Sequence, residues 1–453
     1  MFTVDDIVKA TGGKVLSDNS TKELLLSGAS IDSRTLKTHE LFVPLKGNNV
    51  DGHDFIETAL GKACCCLCSR GGVKPPKGTV VVFVEDTLKA LQSLGAYVRA
   101  SKKIPVIAIT GTNGKTTTKE LLYKVLSTGY NVFKTMGNFN NHIGLPLSLS
   151  KLNDESAAVL EMGASVAGDI ELLCNIARPD IGIVTNLGAG HLEGFGDMET
   201  LRKTKLELMD FASTMIVNGD DNYLMEEVIR KNNTLKRELL TYGFGSHCAM
   251  RAENVESLTD GTGFSARVVF PDGDIKALIT NIAGVFNVHN ALSALSAGFK
   301  LGLNKDDMTE AVSEFSGVPL RLEIERRDGM LLIKDLYNSN PASTKAAVEE
   351  LCRLKSGRTV AVLGDMLELG AESEKFHREL GQLLSLKGID VFIAVGKLMG
   401  LASDEYQKGE SSGAAYKADN AKAAAEILNT VVAQGDTVLI KGSRALKMEG
   451  VIN

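Results

Sequence analysis

Three kinds of hydrophobic pattern follow one another along the chain. Up to about residue 100, short apolar runs alternate with turn-forming residues, as in LLLSGASIDSR, ELFVPLKGNNVDGHDF, CCCLCSRGG and TVVVFVED. Runs this short, cut by Gly, Asn and Pro, predict brief strands. GGVKPPKG reads as a loop, and Leu88, Leu91, Leu94 and Val98 recur at helical spacing across 87–101. From residue 102 the pattern changes. IPVIAIT is continuously apolar, which suits a strand buried on both faces of a parallel sheet. NVFKT, AAVLEMG, IGIVTNLG and STMIVNGDD follow as strands, with helical periodicity near 115–128, 168–177 and 197–212. GFSARVVF and DIKALIT alternate about Pro271-Asp272-Gly273 and predict an antiparallel hairpin, with a helix after it near 288–301.

A third series begins near Ser316–Arg321. MLLIKDLY, RTVAVLGD, DVFIAVG and DTVLIKGS are expected strands, and 343–354, 373–386 and 420–433 are expected helices. The fold class is therefore α/β in three domains. A mixed α/β domain is expected at 1–101, a mostly parallel central domain at 102–316, and a smaller Rossmann-like domain at 317–453.

Composition narrows the field. The 453 residues carry 50 Lys or Arg against 56 Asp or Glu, a formal net charge of −6, with 44% apolar residues. That is ordinary for a globular protein and argues against non-specific nucleic-acid binding as the main task. The start, MFTVDDIVKA, lacks the basic and apolar stretches of a signal peptide. No apolar run is long enough to span a membrane. A cytoplasmic location is expected. The 7 cysteines fit that compartment. Four crowd into Cys64, Cys65, Cys66 and Cys68, and they read as a buried strand rather than a disulfide framework or a zinc site.

The sharpest local signal is ITGTNGKTTTKE, between a predicted strand and a predicted helix. Gly111, Thr112, Asn113, Gly114, Lys115, Thr116 and Thr117 form a phosphate loop. Small residues let backbone N–H groups close on phosphate oxygens at a helix N-terminus. Lys115 would reach the terminal phosphates, and the Thr116 hydroxyl would face Mg²⁺. Ile109 stands where the usual loop has its first glycine, so the glycine is displaced to Gly111. The motif alone admits motor, switch, kinase and ligase.

GTNGKTT in this variant resembles the Mur ligase family. DSRTLKTHELFVPLKGNNVDGHDF, GNFNNHIGLPL, LEMGAS, PDIGIVTNLGAGHLEGFG, DLYNSNP, VLGDMLELG and KGSRALKMEGVI extend the resemblance over the whole chain. DLYNSNP and VLGDMLELG favour the D-alanyl-D-alanine-adding branch. The resemblance implies a UDP-substrate domain at the N-terminus, a central ATPase domain, and a C-terminal domain that takes the incoming dipeptide. It implies ATP and Mg²⁺ as cofactors, UDP-N-acetylmuramoyl-tripeptide and D-alanyl-D-alanine as substrates, and a monomer. A sister Mur ligase or folylpolyglutamate synthase-like ligase adding a single amino acid, and a P-loop ATP-binding regulatory protein without ligation, stand as alternatives.

The same resemblance assigns roles. Glu161 and His191 would hold metal together with Thr116. Lys205, otherwise an unremarked lysine in a charged helix, matches a carbamylated position. Asn287 and Asn290, in GVFNVHNALSA, match the adenine-binding helix start. Phe286 replaces the family's histidine there, and His289, like His39 and His247, reads as a surface or packing residue. Arg321 would reach the ATP phosphates, with Leu320 where a glycine is usual, and Asp335 would hold the ribose. Ser33 and Arg34 match the uridine region, and Asn138, Asn140 and Asn141 the loop facing the muramoyl peptide. Asp365, Met366, Glu368 and the Lys441–Arg444 loop are candidates for the dipeptide. His53 and His377 match family positions without an assigned role.

Overall fold

The computed structural model describes residues 1–16, 24–258, 261–410 and 412–452. Three sheets carry the architecture, beside a two-stranded pair formed by Phe2–Thr3 and Leu25–Leu26.

The first sheet has five short strands in the order Lys14–Val15, Val80–Phe83, Cys65–Cys68, Glu40–Phe42, Gly28–Ser30, parallel except for the first pair. Cys65–Cys68 lies inside it with every side chain buried, and all seven cysteines are free. Burial pushes the Cys65 thiol up to about 12, so it packs as a small apolar group. Helix Thr87–Ala100, capped by Asp86, leads out of this unit.

The central sheet has nine strands. Val132–Lys134, Ala157–Glu161, Val106–Thr110, Ile181–Val184, Thr214–Asn218, Glu238–Gly243 and Met250–Ser257 run parallel in that order. The expected hairpin closes the sheet, with Phe264–Val269 pairing Ile275–Thr280 about Gly273. The helix expected across 197–212 is two pieces, Met198–Leu206 and Leu208–Phe211. Helix Asn222–Leu235 and strands Glu238–Gly243 and Met250–Ser257 add to the elements expected from sequence.

The third sheet runs Glu323–Arg327, Met330–Asp335, Thr437–Lys441, Thr359–Gly364, Val391–Val395, Ala414–Ala418, parallel after the first pair. Its four expected strands are present, joined by helices Pro341–Arg353, Ser373–Leu386 and Ala421–Val431. Helix Lys397–Lys408 was not expected.

The first two units share one apolar core. It runs from Phe2, Ile7 and Leu41 through Leu91, Leu94 and Val98 to Val106, Leu145, Ile170 and Leu208. Gly95 permits this closeness, because a Cβ there would stand 2.8 Å from the Pro146 Cα. The C-terminal sheet has two cores, one of which takes in Ala283 of the central unit, and it meets the central sheet across an open cleft.

Candidate active site

The phosphate loop follows Val106–Thr110, and Ile109 is a buried residue of that strand. This is why the glycine is displaced. Gly111 has φ +141°, and a Cβ there would run into the Thr185 hydroxyl at 2.0 Å. Gly114, at φ +81°, stands at the start of helix Lys115–Leu126 and abuts the Asn290 amide. Thr185 and Asn186, at the end of the neighbouring strand, brace the turn. The Thr185 hydroxyl donates to the Asn113 carbonyl at 2.6 Å, and the Asn113 N–H donates to Asn186 Oδ1 at 3.0 Å. Lys115 Nζ folds back onto the carbonyls of Gly111 (2.8 Å) and Thr112 (3.0 Å). Burial lowers its pKa while Glu161 opposes the shift.

Glu161 ends its strand at 2% exposure. Oε1 accepts from Asn140 Nδ2 at 2.9 Å. Oε2 is buried and accepts no hydrogen bond, with Lys119 Nζ standing off at 3.9 Å. An ionised oxygen left so is costly unless something hard and positive completes it. His191 follows at φ +55°, in the left-handed region, at the head of the short helix Leu192–Phe195. Its Nδ1 pairs with Glu368 Oε2 of the C-terminal unit at 2.6 Å, which leaves Nε2 for another partner. Burial draws the His191 pKa down; Glu368 opposes this, while Lys115 and Lys205 add to it. Lys205 is 2% exposed and forms no hydrogen bond or ion pair among the described residues. Its pKa falls to about 7, first through burial and then through Lys115. It does not line the cleft directly, yet it feels the charge of Lys115, and His191 feels its own.

The C-terminal unit supplies the opposite wall. Arg321 Nη2 donates to the Thr116 hydroxyl at 3.0 Å, and its guanidinium lies 3.9 Å from the centre of the Tyr337 ring. Leu320 and Leu322, on either side, have φ of +63° and +51°. Leu320 thus adopts the backbone a glycine would take freely, at a cost of roughly 1–2 kcal/mol. Asp335 pairs with the buried Lys441 at 2.5 Å, and Lys441 also donates to the Asn338 carbonyl. Asn340 caps helix Pro341–Arg353 and donates to Asn113 Oδ1 at 2.7 Å, clasping the phosphate loop.

At the far end, helix Phe286–Lys300 presents its first turn. The Thr118 hydroxyl donates to Asn290 Oδ1, Asn290 Nδ2 to Asn287 Oδ1, and Asn287 Nδ2 to the Ala283 carbonyl. Phe286 and His289 line the cleft with them.

The cleft encloses about 1240 Å³. That exceeds the pocket of a single drug-sized molecule and leaves room for a nucleotide beside a second substrate. It brings together Thr112 to Thr117, Asn138, Asn140, Asn141, Glu161, His191, Asn287, Asn290, Arg321, Asp335, Glu368 and Arg444.

Lys205 lies behind the cleft, Gly111 and Met366 do not line it, and the expected Ser33, Arg34 and Asp365 point elsewhere. No residue before Thr112 lines the cleft, so Ser33 and Arg34 are outside it. Arg34 is exposed and pairs with Asp32, and the Ser33 carbonyl accepts from Lys62. Asp365 turns inward, where its Oδ1 accepts the Met399 N–H at 2.6 Å and anchors helix Lys397–Lys408. His377 is buried and takes the Met366 N–H, and His53 bridges Asp51 and Ser69; both serve the local fold. Sequence reasoning missed Tyr337, the Asp335–Lys441 pair and the cleft position of His289. For His289, the signal was its place one residue before Asn290.

Comparison with known proteins agrees with this geometry. Families described as "Mur ligase family, catalytic domain", "Mur ligase middle domain" and "Mur ligase, glutamate ligase domain" match residues 26–99, 109–298 and 320–444. The chain belongs to the Mur ligase family. Within it, the chain is similar to the UDP-N-acetylmuramoyl-tripeptide–D-alanyl-D-alanine ligase of Bacillus subtilis (strain 168), at 36% identity over 99% of this chain and 97% of that one. The Escherichia coli (strain K12) enzyme of the same name is 34% identical over 95% and 94%. Among solved structures, MurF from Acinetobacter baumannii superposes with a TM-score of 0.89 at 28% identity, covering 100% of this chain and 98% of that one. MurF ligase from Thermotoga maritima, solved in complex with ADP, gives 0.82 at 32% identity, covering 95% and 97%.

Proposed function

We propose that this chain is the ATP-dependent, ADP-forming ligase that joins D-alanyl-D-alanine to UDP-N-acetylmuramoyl-tripeptide in peptidoglycan precursor synthesis. One observation carries the assignment. A phosphate loop, a buried carboxylate with an unsatisfied oxygen, and an arginine from a separate unit converge on one cleft large enough for two substrates.

A carboxylate is a poor electrophile, so it needs a leaving group. The C-terminal carboxylate oxygen of the tripeptide attacks the γ-phosphorus and ADP departs. The dipeptide amine then attacks the acyl carbon, loses a proton, and phosphate leaves as the amide forms. Lys115 and Arg321 stabilise charge on the transferring phosphoryl group. Asn290 and Asn287 border the base, and Asp335 the ribose. Asn138, Asn140 and Asn141 face the tripeptide, and Arg444 with Glu368 the dipeptide. Ser33 and Arg34, on the N-terminal unit, would take the distal uridine end. Closure by the C-terminal unit keeps water from the acyl phosphate.

The donor set fits Mg²⁺, because Glu161 Oε2 has no hydrogen-bond partner among the described residues and the Nδ1 contact of His191 leaves its Nε2 available. Thr116, Glu161, His191 and a carbamylated Lys205 would hold it, and bound there it would neutralise phosphate charge. A pKa of about 7 leaves much of Lys205 as the free amine at neutral pH. Its nitrogen can then attack carbon dioxide and shed a proton, giving a carbamate with two hard oxygen ligands.

We assign the domains to 1–101, 102–316 and 317–453, and the working unit is a monomer. No helix of the described residues is long and apolar enough to cross a membrane, and use of ATP accords with a cytoplasmic location. The test is ADP release with UDP-N-acetylmuramoyl-tripeptide, with and without D-alanyl-D-alanine. Release that depends on the dipeptide supports the assignment. Release with single amino acids instead points to a sister ligase, and nucleotide binding without release to a regulatory protein.

A further inference from the structure

His289 stands out at the far end of the cleft, because its neighbours are committed elsewhere. Asn287 and Asn290 spend hydrogen bonds on each other, on Thr118 and on the Ala283 carbonyl, tying their helix to the phosphate-loop helix. The His289 ring is held on two sides. It tilts against Phe244 with centroids 4.1 Å apart, and its Nε2 lies 2.9 Å from Asp220 Oδ2.

Asp220 determines which nitrogen of that ring carries the proton. Its carboxylate accepts the backbone N–H groups of Phe244 (2.6 Å) and Gly245 (2.9 Å). Burial works against its ionisation, but those bonds and His289 prevail and hold its pKa below the usual carboxylate value. An ionised carboxylate only accepts, so the facing Nε2 must be the donor. Burial keeps the ring below the ordinary histidine range and therefore neutral at neutral pH. Nδ1 is then an acceptor, with no hydrogen-bond partner among the described residues. His247 and Cys248 also lie within metal-binding distance of Asp220. Both Asp220 oxygens already serve three N–H donors, so this cluster acts as a lock on the Phe244–Gly245 turn and on His289.

We propose that His289 Nδ1 selects the purine: it accepts a hydrogen bond from the exocyclic 6-amino group of adenine and turns away a 6-oxo purine, whose oxygen would meet it lone pair to lone pair. The inference rests on the assignment of the cleft as an ATP site. A group built to pair with a donor discriminates strongly against an analogue that brings an acceptor, since both are then left unsatisfied.

The experiment is calorimetric binding of ADP, IDP and purine riboside 5′-diphosphate to the full chain. The unaltered protein is expected to hold ADP at least about tenfold tighter than either analogue. His289→Phe keeps a ring against Phe244 and removes the acceptor. It should lower ADP affinity to that of the purine riboside diphosphate while leaving the latter within about twofold. Asp220→Asn can donate to Nε2 and free the other tautomer, so it should narrow the gap between ADP and IDP. Equal affinity of the unaltered protein for ADP and the purine riboside diphosphate would overturn the inference without needing any variant. So would a folded His289→Phe that keeps full preference for ADP. Binding of none of the three would overturn the ATP assignment along with it, a result distinct from binding without discrimination.

Discussion

The central unit meets its two neighbours in opposite ways. Toward the N-terminus the contact is apolar and continuous with the core, with Leu91, Leu94 and Val98 running into Leu145 and Ile170. Arg99 is buried there too, its guanidinium donating to the carbonyls of Ala177 (2.8 Å) and Arg178 (3.1 Å). Toward the C-terminus the described contacts at the cleft are polar bridges: Asn340 to Asn113, Arg321 to Thr116 and His191 to Glu368. Left-handed backbone at Leu320, Leu322, His191 and Glu368 accompanies them. Buried apolar area makes one junction a permanent weld. The other junction has a smaller apolar share, with Ala283 and Phe376 in it, and rests largely on a few hydrogen bonds, each worth about 1 kcal/mol net, so it is expected to act as a latch that substrate can bias. The first should govern stability and the second turnover.

The largest expected effect falls on the latch side. Lys115→Ala should cut ADP release by about a hundred- to a thousandfold while the melting temperature stays put, since the cation acts on transferring charge. Purified variant that keeps near-normal turnover would break the assignment.

Lys205→Ala should lose about ten- to a hundredfold, with partial rescue by acetate standing in for the carbamate. Lys203→Ala, on the exposed face and paired with Glu199, should lose little. Lys205 also predicts a pH effect. Its folded pKa is lowered to about 7 from the ordinary lysine value of 10.5, so between those values the unfolded chain binds more protons and stability rises with pH. In buffer free of carbon dioxide, urea denaturation should show the unaltered protein gaining a few kcal/mol over Lys205→Met between about pH 7 and pH 10. A difference that does not move with pH would show Lys205 to be accessible to water.

Gly95→Ala tests the weld. Its Cβ would press on the Pro146 backbone and should cost about 1–3 kcal/mol of stability, with kcat per folded molecule unchanged. Loss of turnover at unchanged stability would erase the contrast.

The smallest effect is expected from Asn340→Asp. It keeps the oxygen that caps the helix and removes the amide that donates to Asn113. Stability should fall by no more than about 1 kcal/mol, KM should rise several-fold, and X-ray scattering should report a more open nucleotide-free form. A scattering profile identical to the unaltered protein would mean that the latch lies elsewhere.

Much of this was legible in the residues, for reasons that can be named. IPVIAIT and IGIVTNLG are unbroken apolar runs and became central parallel strands, and the glycines of GTNGKTT mark where only a missing Cβ fits. Polar and weakly β-forming strands were harder to read. Met250–Ser257 is polar, bulged between Glu253 and Glu256, and Ala414–Ala418 is an alanine-rich edge strand with little β propensity. Asp365 shows the limit for sites: a carboxylate in a functional-looking motif proves to anchor a helix that the sequence pattern did not reveal. His289 shows the reverse, because its role depends on Asp220, 69 residues away, and only the fold brings the two together.

Asp335 and Lys441 also bear on how the C-terminal sheet assembles. They are register partners on adjacent parallel strands, so strand alignment alone brings the two charges together. A slip of the Lys441 strand by one residue would put Lys441 and Asp335 on opposite faces of the sheet. Lys441, 1% exposed in the native alignment, would then enter the layer beneath without its counter-ion. Breaking a buried pair in this way costs about 3–5 kcal/mol. In a sheet of similar Val- and Ile-rich strands the pair therefore adds a charge penalty to a misaligned pairing, a contribution to the sheet that needs no substrate.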